Sequence, residues 1–270
     1  MEKTNIRRLI GVLMPFMIMV ILQRLGLVLV GMAGISERIG STLAFMIASA
    51  AGIFFFRMSC GAQALRPGTV PESDGQDGEE SHIARFPAKD SLFGQILYLL
   101  IGIGILIVTM YAVSAVVREE TVAVFTPGML FAEFVSLVLI HPFLEEYLFR
   151  WLYYRELRPM QPIFAGLTQA VMFAIVHGSV GGMIYALFAG VVLVVITERS
   201  GTLAVPVAVH MLVNLRSLVY MVWLADAETL RLMLDFGFVA VGFAAVLVRL
   251  VRRGLREVWN SAESEEPDEQ

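Results

Sequence analysis

Two adjacent carboxylates and an arginine lie in one of the most apolar parts of the chain, the stretch 141–152. Ionisable side chains at membrane depth cost about 2.5–3.5 kcal/mol each, so their presence there indicates function. Glu146 and Arg150 are four residues apart on a predicted helix, with the carboxylate nearer the N-terminus, and can form an ion pair. Glu145 is rotated by about 100° from Glu146 and lies outside that pair. The motif therefore predicts one neutralised carboxylate beside one that is available for proton transfer.

Histidines occur in two later apolar segments of the same character. His177 follows an apolar helix that begins near residue 166, and His210 and Asn214 share one face of another helix. Both of the latter side chains can donate hydrogen bonds toward a common point. His141 precedes Glu145 by four residues, so it can orient that carboxylate or cap a bend. Each of these residues alone fits a packing role as well, but together with Glu145 they indicate an acid–base site.

The elements that must position these residues are predicted to be membrane-spanning helices. The chain of 270 residues is 57% hydrophobic and 16% charged, and its mean hydropathy is +0.75. This composition excludes an ordinary soluble domain and favours an all-α, polytopic transmembrane bundle with about eight spans. The predicted spans are 9–33, 41–58, 91–117, 127–152, 160–178, 183–198, 202–223 and 232–251. The fifth and sixth are short and are joined by a glycine-rich turn.

The distribution of basic residues predicts the orientation. An even number of spans places both termini on one side, together with the loops 59–90, 153–159 and 199–201. Fifteen of the 20 lysines and arginines fall on that side and three on the other, with Arg24 and Arg216 inside spans. The positive-inside rule then predicts cytoplasmic termini, and we expect a multi-pass protein of the plasma or inner membrane.

Negative charge is concentrated outside the predicted spans, in an acidic linker at 67–90 and an acidic tail at 257–270. Both segments are predicted to be solvated, and the tail to be disordered. The charge pattern gives no indication of nucleic-acid binding. Because Cys60 is the single cysteine, it permits neither an internal disulfide nor a cysteine-based zinc site. The whole chain, 1–270, is interpreted as one membrane domain.

The three motifs, in this order on successive helices, resemble the CAAX-processing and bacteriocin-processing family of intramembrane proteases, also called the Abi family. The motifs are Glu145-Glu146-x-x-x-Arg150, Phe173-x-x-x-His177 and His210-x-x-x-Asn214. The resemblance covers roughly residues 125–220, which would be the protease core. One departure is Trp151, at a position where the family often has glycine.

The resemblance implies a glutamate-dependent intramembrane peptidase that needs no cofactor. Glu145 and His177 would activate a water molecule, and His210 and Asn214 would stabilise the oxyanion. Glu146 and Arg150, with His141, would support the site. The expected substrate is a membrane-embedded or lipidated peptide, with the lipid bilayer as the surroundings.

Two alternatives stay open at this point. Glutamate and two histidines form a known catalytic zinc set, so a zinc-dependent membrane protease is one of them, although the chain lacks a His-Glu-x-x-His motif. A non-catalytic membrane protein, such as an immunity or scaffold protein, is the other. A transporter would favour repeated, broken helices in matching halves, and the sequence shows no such repeat.

Overall fold

Helices make up the fold of the chain. The computed structural model describes residues 2–60, 89–117 and 127–265, and no β-strand occurs in these ranges. The helices are α1 (Glu2–Met32), α2 (Glu37–Cys60), α3 (Leu92–Val116), α4 (127–157), α5 (Pro162–Ile175), α6 (Val180–Ser200), α7 (Ala204–Trp223) and α8 (Glu228–Glu265). The predicted all-α class is confirmed.

Each predicted span corresponds to one of these helices, and seven of them are long and apolar enough to cross a bilayer. The exception is α5, which has 14 residues and would reach only about 21 Å along its axis. The sequence predicted α6 to be short as well, but it extends over 21 residues. The bundle therefore contains one short apolar helix between two full-length ones.

Close helix packing depends on glycine at two crossings. A Cβ atom at Gly242 of α8 would lie 2.9 Å from the carbonyl oxygen of Leu100 in α3. At the other crossing, a Cβ atom at Gly190 of α6 would lie 2.9 Å from the Cα atom of Ala170 in α5. Small residues let helix backbones approach in this way where apolar burial provides little driving force.

Polar contacts at one end of the bundle join helix ends that the predicted topology places on the same side. They are Arg8–Glu156 at 3.5 Å, Arg158–Glu198 at 2.7 Å, Asp90 N–H to Ser200 O at 3.0 Å and Arg249–Asp90 at 3.1 Å. This end collects the start of α1, the ends of α4 and α6, and the start of α3. The helix ends joined by these contacts are those that the sequence analysis places on the side with most of the basic residues.

The two acidic segments are only partly covered by the structure. Most of the predicted linker 67–90, including His82, lies outside the described residues, as do residues 266–270. Helix α8 continues to Glu265, so it includes the first nine residues of the tail 257–270 that was predicted to be disordered. A helix over this stretch is compatible with the sequence, because neither glycine nor proline occurs between Gly254 and Pro267.

The basic end of the bundle is predicted to face the cytoplasm. A cysteine introduced at Ser81 or Ser264, with Cys60 replaced by serine, should then resist membrane-impermeant thiol reagents in intact cells and react after permeabilisation. A cysteine at Ala227, between α7 and α8, is the matched control and should react without permeabilisation. Labelling of the Ser81 or Ser264 position from outside would contradict this orientation.

Candidate active site

The carboxylate motif lies in helix α4, whose helical form changes along its length. An α-helical turn, His141–Glu146, is flanked by π-helical segments at Phe134–Ile140 and Tyr147–Tyr154. π-Helical turns are rare and are often found at functional sites. Here they change the direction in which side chains leave α4 immediately before and after the two glutamates.

Glu146 is the fully buried carboxylate of the pair, and two cationic or polar groups contact one of its oxygens. Its Oε1 atom lies 3.1 Å from Nη1 of Arg150 and 2.9 Å from Nδ1 of His210. The side chains of both Glu146 and Arg150 are 0% exposed. The guanidinium of Arg150 also lies over the Phe173 ring, 4.3 Å from its centroid. The predicted ion pair is thus present, and Phe173 of α5 covers it.

Glu145 lies between two histidines and keeps limited access to solvent. Its Oε1 atom is 3.8 Å from Nδ1 of His141, and its Oε2 atom is 3.7 Å from Nε2 of His210. The Glu145 side chain is 9% exposed, whereas that of Glu146 is completely buried. Because both distances exceed those of direct hydrogen bonds, Glu145 retains acceptor capacity for a further group.

The short helix α5 brings His177 back toward Glu145. It begins at the basic end of the bundle and ends after 14 residues, and it is followed by the buried Val176 and the half-buried His177. The His177 ring packs edge-on against Phe173 with centroids 4.8 Å apart, and Phe173 in turn contacts His210, the neighbour of Glu145. Its Nδ1 atom is 2.8 Å from the carbonyl oxygen of Phe173, and a carbonyl can only accept. Nδ1 is therefore the protonated nitrogen of the neutral ring, which leaves Nε2 as the basic nitrogen.

Asn214 and His210 occupy the same face of α7, as predicted, but the structure gives them different partners. Nδ2 of Asn214 donates to the carbonyl oxygen of Leu137 at 2.9 Å, in the first π-helical segment of α4. His210 instead contacts both glutamates. An amide Nδ2 carries two hydrogens, so the bond to Leu137 fixes the amide plane and leaves the second hydrogen for another acceptor.

Three further residues contact the site and were not assigned roles from the sequence. The ring of Phe45 in α2 stacks on His141 with centroids 4.3 Å apart, and Nη2 of Arg24 in α1 donates to the carbonyl oxygen of Ile175 at 3.1 Å. Phe173, which belongs to the second motif, packs against Arg150 and edge-on against His210. Arg24 thereby satisfies a carbonyl at the end of α5, the position where helical carbonyls lack internal partners.

Replacing Arg150 with alanine should destabilise the fold rather than only reduce activity. The change leaves the buried Glu146 carboxylate without its cation, at a cost of about 3–5 kcal/mol. Thermal unfolding of the purified protein in detergent is the measurement, with the exposed Arg57→Ala as the control. We expect a clear loss of yield or unfolding temperature for Arg150→Ala only. An unfolding temperature equal to that of the control would contradict the structural role of the pair.

The model of the Rce1-like family, described as type II CAAX prenyl endopeptidases, matches residues 127–216. This segment is a third of the chain and contains all seven residues predicted for the site. The family resemblance inferred from the motifs is confirmed over this segment. No curated protein and no solved structure shows a significant match to the chain.

Proposed function

Because residues 127–216 match a family of membrane CAAX endopeptidases and hold the cluster around Glu145, we propose that this protein is an intramembrane endopeptidase. In this proposal a water molecule activated by Glu145 attacks a peptide bond of a membrane-embedded or lipidated peptide. The observation that supports it best is the presence of two adjacent buried carboxylates with different partners. Glu146 forms the ion pair with Arg150 at 3.1 Å, whereas the ring nitrogens of His141 and His210 lie 3.8 and 3.7 Å from the Glu145 carboxylate.

Glu145 and His177 are proposed to activate the water. The Glu145 carboxylate, or the free Nε2 of His177, accepts a proton from the water as its oxygen bonds to the carbonyl carbon of the substrate. The resulting tetrahedral intermediate carries the negative charge on the former carbonyl oxygen. When the C–N bond breaks, the same proton is delivered to the leaving amine, and the products are an amine and a carboxylic acid, which then loses its proton to solvent. The cycle needs no serine or cysteine nucleophile.

His210 and Asn214 are proposed to stabilise the oxyanion. Since Nδ1 of His210 donates to Glu146, Nε2 carries a hydrogen only when the ring is an imidazolium. The proposed role of His210 therefore requires its imidazolium form. The second amide hydrogen of Asn214 is the other donor. Preorganised donors of this kind are each worth about 2.7–4 kcal/mol of transition-state stabilisation.

Zinc-dependent hydrolysis remains the second candidate. Within the part of the chain that the structure describes, no group of three histidine, cysteine or carboxylate side chains has a spacing that could hold a metal ion. Whether hydrolysis depends on a metal ion is tested directly on the purified protein. Metal analysis of protein purified without added zinc, combined with activity in the presence of a chelator, separates the two mechanisms. Stoichiometric zinc together with chelator-sensitive cleavage would favour the zinc protease.

The substrate class can be tested with purified protein in bilayer nanodiscs. A peptide ending in a CAAX sequence is offered with and without a prenyl group on its cysteine, and the products are identified by mass spectrometry. We expect cleavage of the prenylated peptide, because the matched family is named for that chemistry. Comparing membrane proteomes with and without the active protein extends the search to other peptides. Absence of any cleaved peptide in both experiments would favour a non-catalytic membrane protein.

A further inference from the structure

Four arginines of helix α8 lie on one face of the helix at the basic end of the bundle. They are Arg249, Arg252, Arg253 and Arg256, whose spacing of three, four and seven residues places them together. With Asp90 and the first turn of α3 they line a small cleft of about 50 Å³. None of these residues belongs to the site around Glu145.

Contacts with α3 hold the first two arginines in place. The guanidinium of Arg249 donates to Asp90 Oδ2 at 3.1 Å and lies 3.7 Å from the ring centroid of Tyr98. The guanidinium of Arg252 lies over the Phe93 ring, 4.6 Å from its centroid. Cation–π contacts of this type orient a guanidinium without neutralising it. The positive charge of the cleft is thus fixed in position by the protein.

The charge of the cleft is not balanced by the residues that line it. Burial alone would raise the pKa of Asp90, but the N–H of Ser91 and the guanidinium of Arg249 hold that pKa below its usual value. Asp90 is therefore ionised at neutral pH and is the one carboxylate in the lining, against four arginines. Among the described residues, no carboxylate forms an ion pair with Arg253 or Arg256, and both side chains are exposed.

The cleft lies where the long apolar segment of α8 gives way to a run of basic residues. Next to the arginines, the helix carries exposed apolar side chains: Leu250 and Leu255 flank the arginine face, and Trp259, three residues after Arg256, continues it, with exposures of 58%, 65% and 67%. Tryptophan is enriched where a helix passes through the headgroup layer. The cleft therefore combines fixed positive charge with exposed apolar side chains on the same helical turns.

We propose that this cleft binds the phosphate group of an anionic membrane lipid. Arg252, Arg253 and Arg256 would contact the phosphate, and the acyl chains would lie along the apolar surface of α8. A free phosphate ion shares the headgroup chemistry, but it would make no use of the adjacent apolar surface. A lipid bound here would join α8 to the first turn of α3 and stabilise that end of the bundle. The inference does not depend on peptidase activity.

The test is a titration of the full-length protein in detergent with short-chain phosphatidylglycerol, phosphatidylcholine or inorganic phosphate. Affinity and unfolding temperature are measured for each. We expect saturable binding of phosphatidylglycerol and a higher unfolding temperature. In the triple variant Arg252→Gln/Arg253→Gln/Arg256→Gln, affinity should fall about a hundredfold, since each basic residue contributes about 1 kcal/mol and 1.4 kcal/mol is a factor of ten.

A matched control removes the same amount of charge from the same end of the bundle. The triple variant Lys3→Gln/Arg7→Gln/Arg57→Gln changes three exposed basic residues outside the cleft and should bind phosphatidylglycerol as the unmodified protein does. Equal losses in both triple variants, or equal binding of phosphatidylcholine, would overturn the proposal. Equal protection by inorganic phosphate would identify a free-anion site instead. If the triple variant folds poorly, the single Arg253→Gln should still weaken binding about fivefold.

Discussion

Replacing Glu145 with glutamine should reduce peptide cleavage by several orders of magnitude while the protein folds and inserts normally. Glutamine keeps the size and shape of the side chain but cannot accept the proton of the attacking water. The same substitution leaves the Glu146–Arg150 ion pair in place, and the nearest histidine nitrogens lie 3.7–3.8 Å from Glu145, beyond hydrogen-bond distance, so we expect the fold to lose little. Steady-state cleavage by the purified protein and its unfolding temperature are the two measurements.

The control for this experiment makes the identical chemical change away from the site. Glu228→Gln, at the exposed start of α8, should leave cleavage and unfolding temperature unchanged. If Glu145→Gln retained turnover near that of the control, Glu145 would be removed from the mechanism. A large fall in unfolding temperature for Glu145→Gln would instead assign the residue a structural role.

Replacing Asn214 with alanine should lower kcat by about 10²–10³ and change KM little, because an oxyanion donor acts mainly on the transition state. The hydrogen bond of Asn214 to the Leu137 carbonyl offers a competing explanation. If that bond were the only role, the loss would cost about 0.6 kcal/mol of packing and leave the chemistry nearly intact. A large loss of kcat would therefore support the oxyanion role, whereas a small loss of unfolding temperature with nearly unchanged kcat would support the packing role.

His210→Ala serves as the comparison for Asn214→Ala, since His210 contacts both glutamates. It should lower kcat at least as strongly and also reduce stability, because Glu146 loses a hydrogen-bond donor. Both variants are assayed with and without chelator. Partial rescue of His210→Ala by added metal would favour a zinc ligand, and an unchanged kcat in Asn214→Ala would contradict the oxyanion assignment.

Sequence patterns predicted the features that are determined within a single helix, namely the helices themselves and the contacts between residues four apart. Long apolar runs predicted the helices, and four-residue spacing predicted the Glu146–Arg150 and His141–Glu145 neighbours, which lie 3.1 and 3.8 Å apart. These relations hold because residues on one helical face remain adjacent whatever the rest of the bundle does. The roles of the site residues stay predictions until the variants are measured.

Features that depend on packing between helices were not predictable in the same way. The π-helical segments on either side of His141–Glu146 have no sequence signature that distinguishes them from an ordinary apolar helix. Helix spacing predicted that His210 and Asn214 share a face, but not that the rotation of α7 directs them to Glu146 and Leu137. Phe45 is almost a hundred residues from His141, so their stacking could not be inferred from spacing.

Arg24 and Phe45 show that the candidate site includes contacts from outside the segment that matches the family. Both lie in α1 and α2, outside the segment 127–216 that carries the family signature. Yet Arg24 caps the end of α5 just before His177, and Phe45 stacks on His141 beside Glu145. The first two helices therefore contribute residues to the surroundings of the candidate site. A fragment limited to the matched segment would lack these contacts, so we expect the matched segment and its two N-terminal helices to fold as one unit.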